Sequence, residues 1–202
     1  MPNPVDLIAT SHLAPLLRTH GFRKDGRTCR LSNDNVVRVV NLQGSRYNIG
    51  GEGEVTVNLG VLHPSAERVL RADGWAVPPP DPSRVKAFEC TVKARIGHLM
   101  PQRSDTWWPL GRRTKKSGRK IATAVQTYGL PWLQLCSDPL EAARWLESTN
   151  YAFHGPIRAL ALLLTVDAQA AQAALDRWTA GAEESEAEEK VRIWARRADL
   201  RC

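Results

Sequence analysis

Glu54-Val55-Thr56-Val57-Asn58-Leu59-Gly60-Val61-Leu62 decides the fold. Val55, Val57, Leu59 and Val61 fall at every second position, with Thr56, Asn58 and Gly60 between them. In an extended chain successive side chains point to opposite faces, so the segment reads as a strand with one aliphatic and one polar side. Val36 to Gln43 and Phe88 to Ile96 alternate in the same way. Strands with one apolar face belong to an antiparallel sheet that buries one side, because parallel strands covered on both faces are apolar throughout. Arg27 to Leu31 reads as a further strand, joined to Val36 by the turn-rich Ser32-Asn33-Asp34-Asn35. The next link, Gly44 to Gly53, is also short, and short links favour an antiparallel meander. The expected class is α+β: a four-stranded antiparallel meander with helices on one face and a C-terminal helical extension.

The helices follow from punctuation. Val5, Ile8, Leu13, Leu16 and Leu17 mark an opening helix that stops at Gly21. Pro15 requires either a kink or a restart with Ser11 as cap. Pro64 to Ala72 forms a short helix, and the prolines between Val77 and Pro82 impose an extended loop. A helix from about Arg119 to Tyr128 ends at Gly129, and Asp138-Pro139-Leu140-Glu141 opens another with a cap acceptor, a proline and an acid in order. Pro156 to Val166 is apolar nearly all round, which predicts a helix buried among others. Asp167 caps a helix striped by Ala171, Leu175 and Trp178. In the final segment Glu183, Glu184, Glu186, Glu188 and Glu189 precede Arg192, Arg196 and Arg197, matching the helix dipole. Residues 1 to about 150 are read as one α+β domain, and 151 to 202 as a helical extension packed on it.

At 202 residues and 43% hydrophobic content the chain can bury a core. Its 28 Lys and Arg against 21 Asp and Glu give a formal charge of +7, which permits an acidic partner or nucleic acid. Cys29, Cys90, Cys136 and Cys202 have no metal-ligand spacing and read as mostly buried, reduced thiols. Met1 to Asp6 lacks the pattern of a secretory signal, and Ala159 to Val166 is shorter than the roughly 20 residues of a membrane span. A soluble, cytoplasmic protein with no membrane partner is expected.

Chemistry is sparse. Gly50-Gly51-Glu52-Gly53 lacks the Lys and Ser or Thr of a phosphate loop and reads as hairpin punctuation. The histidines at 12, 20, 63, 98 and 154 fall in separate elements, and only His63 and His98 stand at strand ends that can align. Without a nucleophile or metal motif, no catalytic residue, metal or cofactor is expected. Two binding surfaces remain. The polar sheet side gathers Thr56, Asn58, Lys93 and Arg95, amides and cations suited to a carboxylate, a phosphate or an acidic protein surface. The same pattern also fits a plain solvated face, and Asn41 and Gln43 share their parity with Val37 and Val39. The second surface is Trp107-Trp108 followed by Arg112, Arg113, Lys115, Lys116, Arg119 and Lys120. Rings beside cations suit single-stranded nucleic acid, although paired tryptophans also pin loops onto cores.

Gly21-Phe22-Arg23-Lys24 with Gly26-Arg27, Val39-Val40-Asn41-Leu42-Gln43, Val57-Asn58-Leu59-Gly60-Val61, Lys93 to Leu99 and Asp105-Thr106-Trp107-Trp108 occur in an order that resembles the bacterial domain-of-unknown-function family 4304, over about Leu7 to Leu146. The resemblance implies no activity and transfers no catalytic residue. The resulting expectation is a non-enzymatic protein-binding module, with an immunity-like or defence-associated role as its analogy. The alternative is a nucleic-acid-binding protein using Trp107, Trp108 and the Arg112 to Lys120 stretch.

Overall fold

The computed structural model describes residues 2–33, 35–71, 78–149, 155–179, 192–196 and 200. Its strands are β1 (Arg23–Asp25), β2 (Thr28–Ser32), β3 (Val37–Gly44), β4 (Glu54–Leu62), β5 (Val92–Arg95) and β6 (Trp108–Pro109). Its helices are α1 (Pro4–Ile8), α2 (Ala14–Thr19), α3 (Pro64–Arg71), α4 (Ile96–Leu99), α5 (Thr114–Ala124), α6 (Leu130–Leu135), α7 (Pro139–Ser148), α8 (Gly155–Leu164) and α9 (Ala168–Thr179). The chain forms two compact units, one of Met1–Leu62 and Asp81–Leu135, the other of His63–Pro80 and Cys136–Cys202.

In the first unit β1 to β5 lie side by side in chain order, every pair antiparallel, and β6 pairs with β4 at Val55. The expected α+β meander is therefore present, with two strands more than the sequence marks. β1 is three exposed polar residues and shows no alternation. It pairs with β2 because Gly26, at φ +57°, closes a two-residue turn between Asp25 and Thr28.

The strand expected over Phe88 to Ile96 is shorter. Only Val92–Arg95 is extended; Ala87–Glu89 is a 3-10 turn closed by the Glu89 carboxylate, which accepts the Lys86 N–H at 2.7 Å, and Ile96 begins α4. This has a large consequence for the polar side of the sheet. The segment before β5 crosses it, and Val85, Ala87 and Cys90 bury Val37, Val39 and Leu62 there. Gly60 makes the crossing possible: a Cβ at that position would stand 2.6 Å from Cys90 Sγ and 2.9 Å from Ala87 O. The parity that Asn41 and Gln43 share with Val37 and Val39 is thus real, since one sheet face is apolar and covered at one end and polar at the other.

Val55, Val57, Leu59 and Val61 line the opposite face and are fully buried, as are Ile8, Leu13, Leu17, Ile121 and Val125 from the helices. The helix is not restarted with Ser11 as cap. Ala9–Leu13 widens into a π turn in which Ala14 N–H donates to Ala9 O. A proline ring collides with the carbonyl four residues back, and one wide turn moves that carbonyl aside. The same device operates at Val125–Gly129, ahead of Pro131, so Gly129 does not stop the helix and the chain continues into α6. Gly21 does end α2, at φ +84°, with Phe22 N–H on Leu17 O and Gly21 N–H on Arg18 O at 3.0 Å each.

Gly97 shows how tightly the loop after α4 is packed. A Cβ there would meet Ser104 O and stand 2.7 Å from Thr106 N, both main-chain atoms. Gly97→Ala is expected to cost about 1–3 kcal/mol, read as a shift in denaturation midpoint without a change in slope.

In the second unit α8 is buried along Ala159 to Leu163, as its apolar sequence requires, and contacts α3, α7 and α9. Asp138 caps α7 by accepting from Leu140 and Glu141 N–H, and Asp167 caps α9 through Gln169 and Ala170. The acidic run from Glu183 to Glu189 lies outside the described residues; 192–196 are helical, with Trp194 and Ala195 buried. Among the described residues no helix is long and apolar enough to cross a membrane.

Candidate functional site

The candidate sheet residues lie on one face, because Asn58 pairs with Arg95 and Gly60 with Lys93 across β4 and β5. Their side chains are committed inward or to neighbours. Thr56 is completely buried, and its hydroxyl donates to Thr106 O at 2.8 Å. Asn58 donates to Gln43 Oε1 at 2.8 Å, and Lys93 Nζ donates to Phe88 O at 3.0 Å. Arg95 pairs with Asp105 and lies 5.2 Å over the Trp107 ring, whose N–H donates to the same carboxylate at 3.0 Å. The face expected to be on display is therefore a self-satisfied network.

The two tryptophans divide. Trp107 is half-buried in that Arg95 and Asp105 cluster, while Trp108 is 6% exposed and enters the sheet in β6 opposite Val55. Neither ring offers an open stacking platform of the kind a single-stranded groove uses.

The basic stretch is helical five residues earlier than its sequence marks, since α5 begins at Thr114 behind the 3-10 turn Gly111–Arg113. Thr114, Ser117, Gly118, Ile121 and Ala124 turn inward at helical spacing. Gly118 is buried where the helix meets His12, whose Nε2 would be 2.8 Å from an added Cβ. Arg112, Arg113, Lys115, Lys116, Arg119 and Lys120 are all exposed between these positions. None forms an ion pair among the described residues. No side chain caps α5, and its first turn holds no acid. Cations thus crowd the positive end of the helix dipole, a local arrangement that opposes stability. Arg113, Lys116 and Lys120 line a groove of about 350 Å³ together with Trp108, Pro109 and Ser117.

A feature that sequence reasoning missed adjoins this helix. The loop between β3 and β4 folds into a small hairpin in which Ile49 pairs with Glu52, and Asn48 holds the Glu54 main chain through both its amide atoms, at 2.9 and 2.8 Å. Its tip presents Tyr47 at 72% and Ile49 at 81% exposure, with the Arg46 guanidinium 4.8 Å over the Tyr47 ring. Its base is fastened to the start of α5: Leu110 N–H donates to Gly53 O at 2.8 Å, and the Glu52 carboxylate lies against Gly111. The available signal was Tyr47 and Ile49 themselves, large apolar residues within a turn-rich, glycine-flanked link.

His63 and His98 belong to different units. His63 is buried, its Nε2 2.8 Å from Cys136 O, and burial holds its pKa below the ordinary 6.5 against the opposing pull of that carbonyl, Asp138 and Glu67. A folded pKa below the unfolded one gives stability that is present above pH 6.5 and is lost as pH falls toward the folded value. Denaturation midpoints are expected to drop across that acid window, and His63→Gln, which keeps a donor but cannot titrate, flattens the drop. Burial pushes the Cys136 thiol up to about 12 and raises Cys29, which leaves both protonated and poor nucleophiles at neutral pH. His154 and Cys202 lie outside the described residues.

A family model described as Domain of unknown function (DUF4304) matches residues 13–135, within the span over which the sequence motifs run. No curated protein and no solved structure matches the chain.

Proposed function

The chain belongs to the DUF4304 family, and we propose that it is a non-enzymatic module that binds an acidic protein partner through the cationic side of α5 and the hairpin tip beside it. The observation that carries this reading is a hairpin that exposes Tyr47 and Ile49 and is fastened by its base at Leu110 and Gly111, immediately before Arg112, Arg113, Lys115 and Lys116, which are exposed and without acidic partners among the described residues. Aromatic and aliphatic anchors ringed by arginine are the composition of protein-interface centres, where a few such residues supply most of the affinity. The cations would steer an acidic partner and fix its orientation.

A nucleic-acid partner is the second reading, and the six cations of residues 112–120 favour it. Against it stand the tryptophans, one in the sheet and one stacked by Arg95. Affinity capture from native lysate separates the two. A protein captured in stoichiometric amount, surviving nuclease and lost with Ile49→Asp, is the expected outcome; the variant's own stability should stay within about 0.5 kcal/mol of the parent, as for other exposed positions. Retention on single-stranded DNA that falls steeply with salt and ignores Ile49→Asp would put nucleic acid in the partner's place.

A further inference from the structure

We infer that the groove between β6 and α5 is a phosphate-monoester site, filled by a phosphorylated side chain of the protein partner; the identity of that carrier rests on the binding-module reading above. Arg113, Lys116 and Lys120 follow at steps of three and four, which places them along one side of the helix and above one concavity. No acid lines it. Its floor is rigid: Ser117 is buried and donates to Pro109 O at 2.6 Å, tying α5 to β6, and Trp108 is fixed in the sheet opposite Val55. Three like charges thus border one concavity with a preformed floor, and they repel one another until an anion enters.

The charge count selects the anion. A carboxylate brings one negative charge and two oxygens. A phosphodiester, as in nucleic acid, brings one charge and two free oxygens per unit. A phosphate monoester brings about −1.5 to −2 near neutrality and three acceptor oxygens. Only the monoester offers an oxygen for each cation and neutralises most of their charge. Arg113 supplies a planar guanidinium, and the lysines act as point charges. The indole of Trp108 and the ring of Pro109 give the ester's carbon stem an apolar wall.

The test titrates the full chain, in about 0.15 M salt to screen distant charges, with a phosphoserine peptide, the same peptide carrying Glu, inorganic phosphate and a single-stranded oligonucleotide, read by calorimetry and by the Trp108 indole resonance. The phosphopeptide should bind at least tenfold more tightly than the Glu peptide and shift that resonance, and inorganic phosphate should shift it too. Arg113→Glu with Lys116→Glu should remove at least tenfold of the affinity, while Arg119→Glu, outside the groove, should change it less than threefold. Equal binding of the phospho and Glu peptides, indifference to the double variant, or displacement of the phosphopeptide by equimolar oligonucleotide would each overturn the inference. Partner capture that survives the double variant yet is lost with Ile49→Asp would also overturn it while sparing the module reading. Groove binding of phosphopeptide with no protein captured from lysate would instead overturn the protein carrier.

Discussion

Replacing Glu67 by alanine is expected to cost the unit built on α3, α7, α8 and α9 about 3–5 kcal/mol. The Glu67 carboxylate is buried between two guanidinium groups: Arg71 from its own helix at 3.0 and 3.2 Å, and Arg158 from α8 at 3.6 Å. Both arginines are themselves 14% and 18% exposed, so water does little to replace what the carboxylate supplies. The alanine variant keeps two desolvated positive charges close together and removes the anion they share. An exposed pair provides the contrast: Glu141 with Arg144 on α7 is solvated on both sides, and its removal should cost under about 1 kcal/mol. Amide exchange on α3 and α8 reads the loss locally, which matters because a chain of two units need not unfold in one step. If Glu67→Ala cost no more than the exposed pair, the arginines would have to reach solvent by turning, and α3 and α8 would be held by their apolar contact alone. Glu67→Gln should fall between the two, since it keeps the volume and one acceptor and gives up the charge.

What could be read from the sequence depended on whether the cause was local. Period two in Glu54 to Leu62 fixed the central strand to the residue, and the apolar run from Pro156 to Val166 announced a helix buried along Ala159 to Leu163, although Val166 lies past its end and is exposed. Asp138 and Asp167 were legible as caps because a cap acts on amides two and three residues away. On the sheet face that carries Asn58 and Arg95, Val85 to Cys90 cover Val37, Val39 and Leu62, and the space for that cover is a missing side chain at Gly60. Glycine in a strand signals either a weak point or a close approach, and only the packed chain distinguishes them. The helix extends beyond the expected Arg119 to Tyr128 for similar reasons: Gly129 reads as a stop but packs at Leu59 and Ile96, and Gly118 admits His12. For the site, the six cations were visible as a run. That three of them, Arg113, Lys116 and Lys120, border one groove with Trp108 depends on β6 pairing with β4, which no local pattern announces.

Lys115→Glu combined with Lys116→Glu is expected to raise stability and destroy binding together. Arg113 is the N-cap of α5 with no capping side chain, which makes Lys115 and Lys116 the second and third residues of the helix. Acids are favoured there and bases opposed, because four main-chain N–H groups leave that end positive. Each reversal should add about 0.3–1 kcal/mol at low salt, seen as a higher unfolding midpoint that approaches the parent's as salt increases. Binding should move the other way by about 100-fold or more at low salt, since two attractive charges become repulsive against an acidic partner, a difference of several kcal/mol. The opposite signs are what make the test informative. A solvated helix face with no partner has no reason to keep cations where they weaken the helix, and exchanging them there would leave capture unchanged. A face kept for binding retains that cost because the partner's anions repay it only in the complex, which is why violations of local stability rules mark functional surfaces. Higher stability with undiminished capture would therefore remove α5 from the interface and leave the Tyr47 and Ile49 tip as the sole anchor.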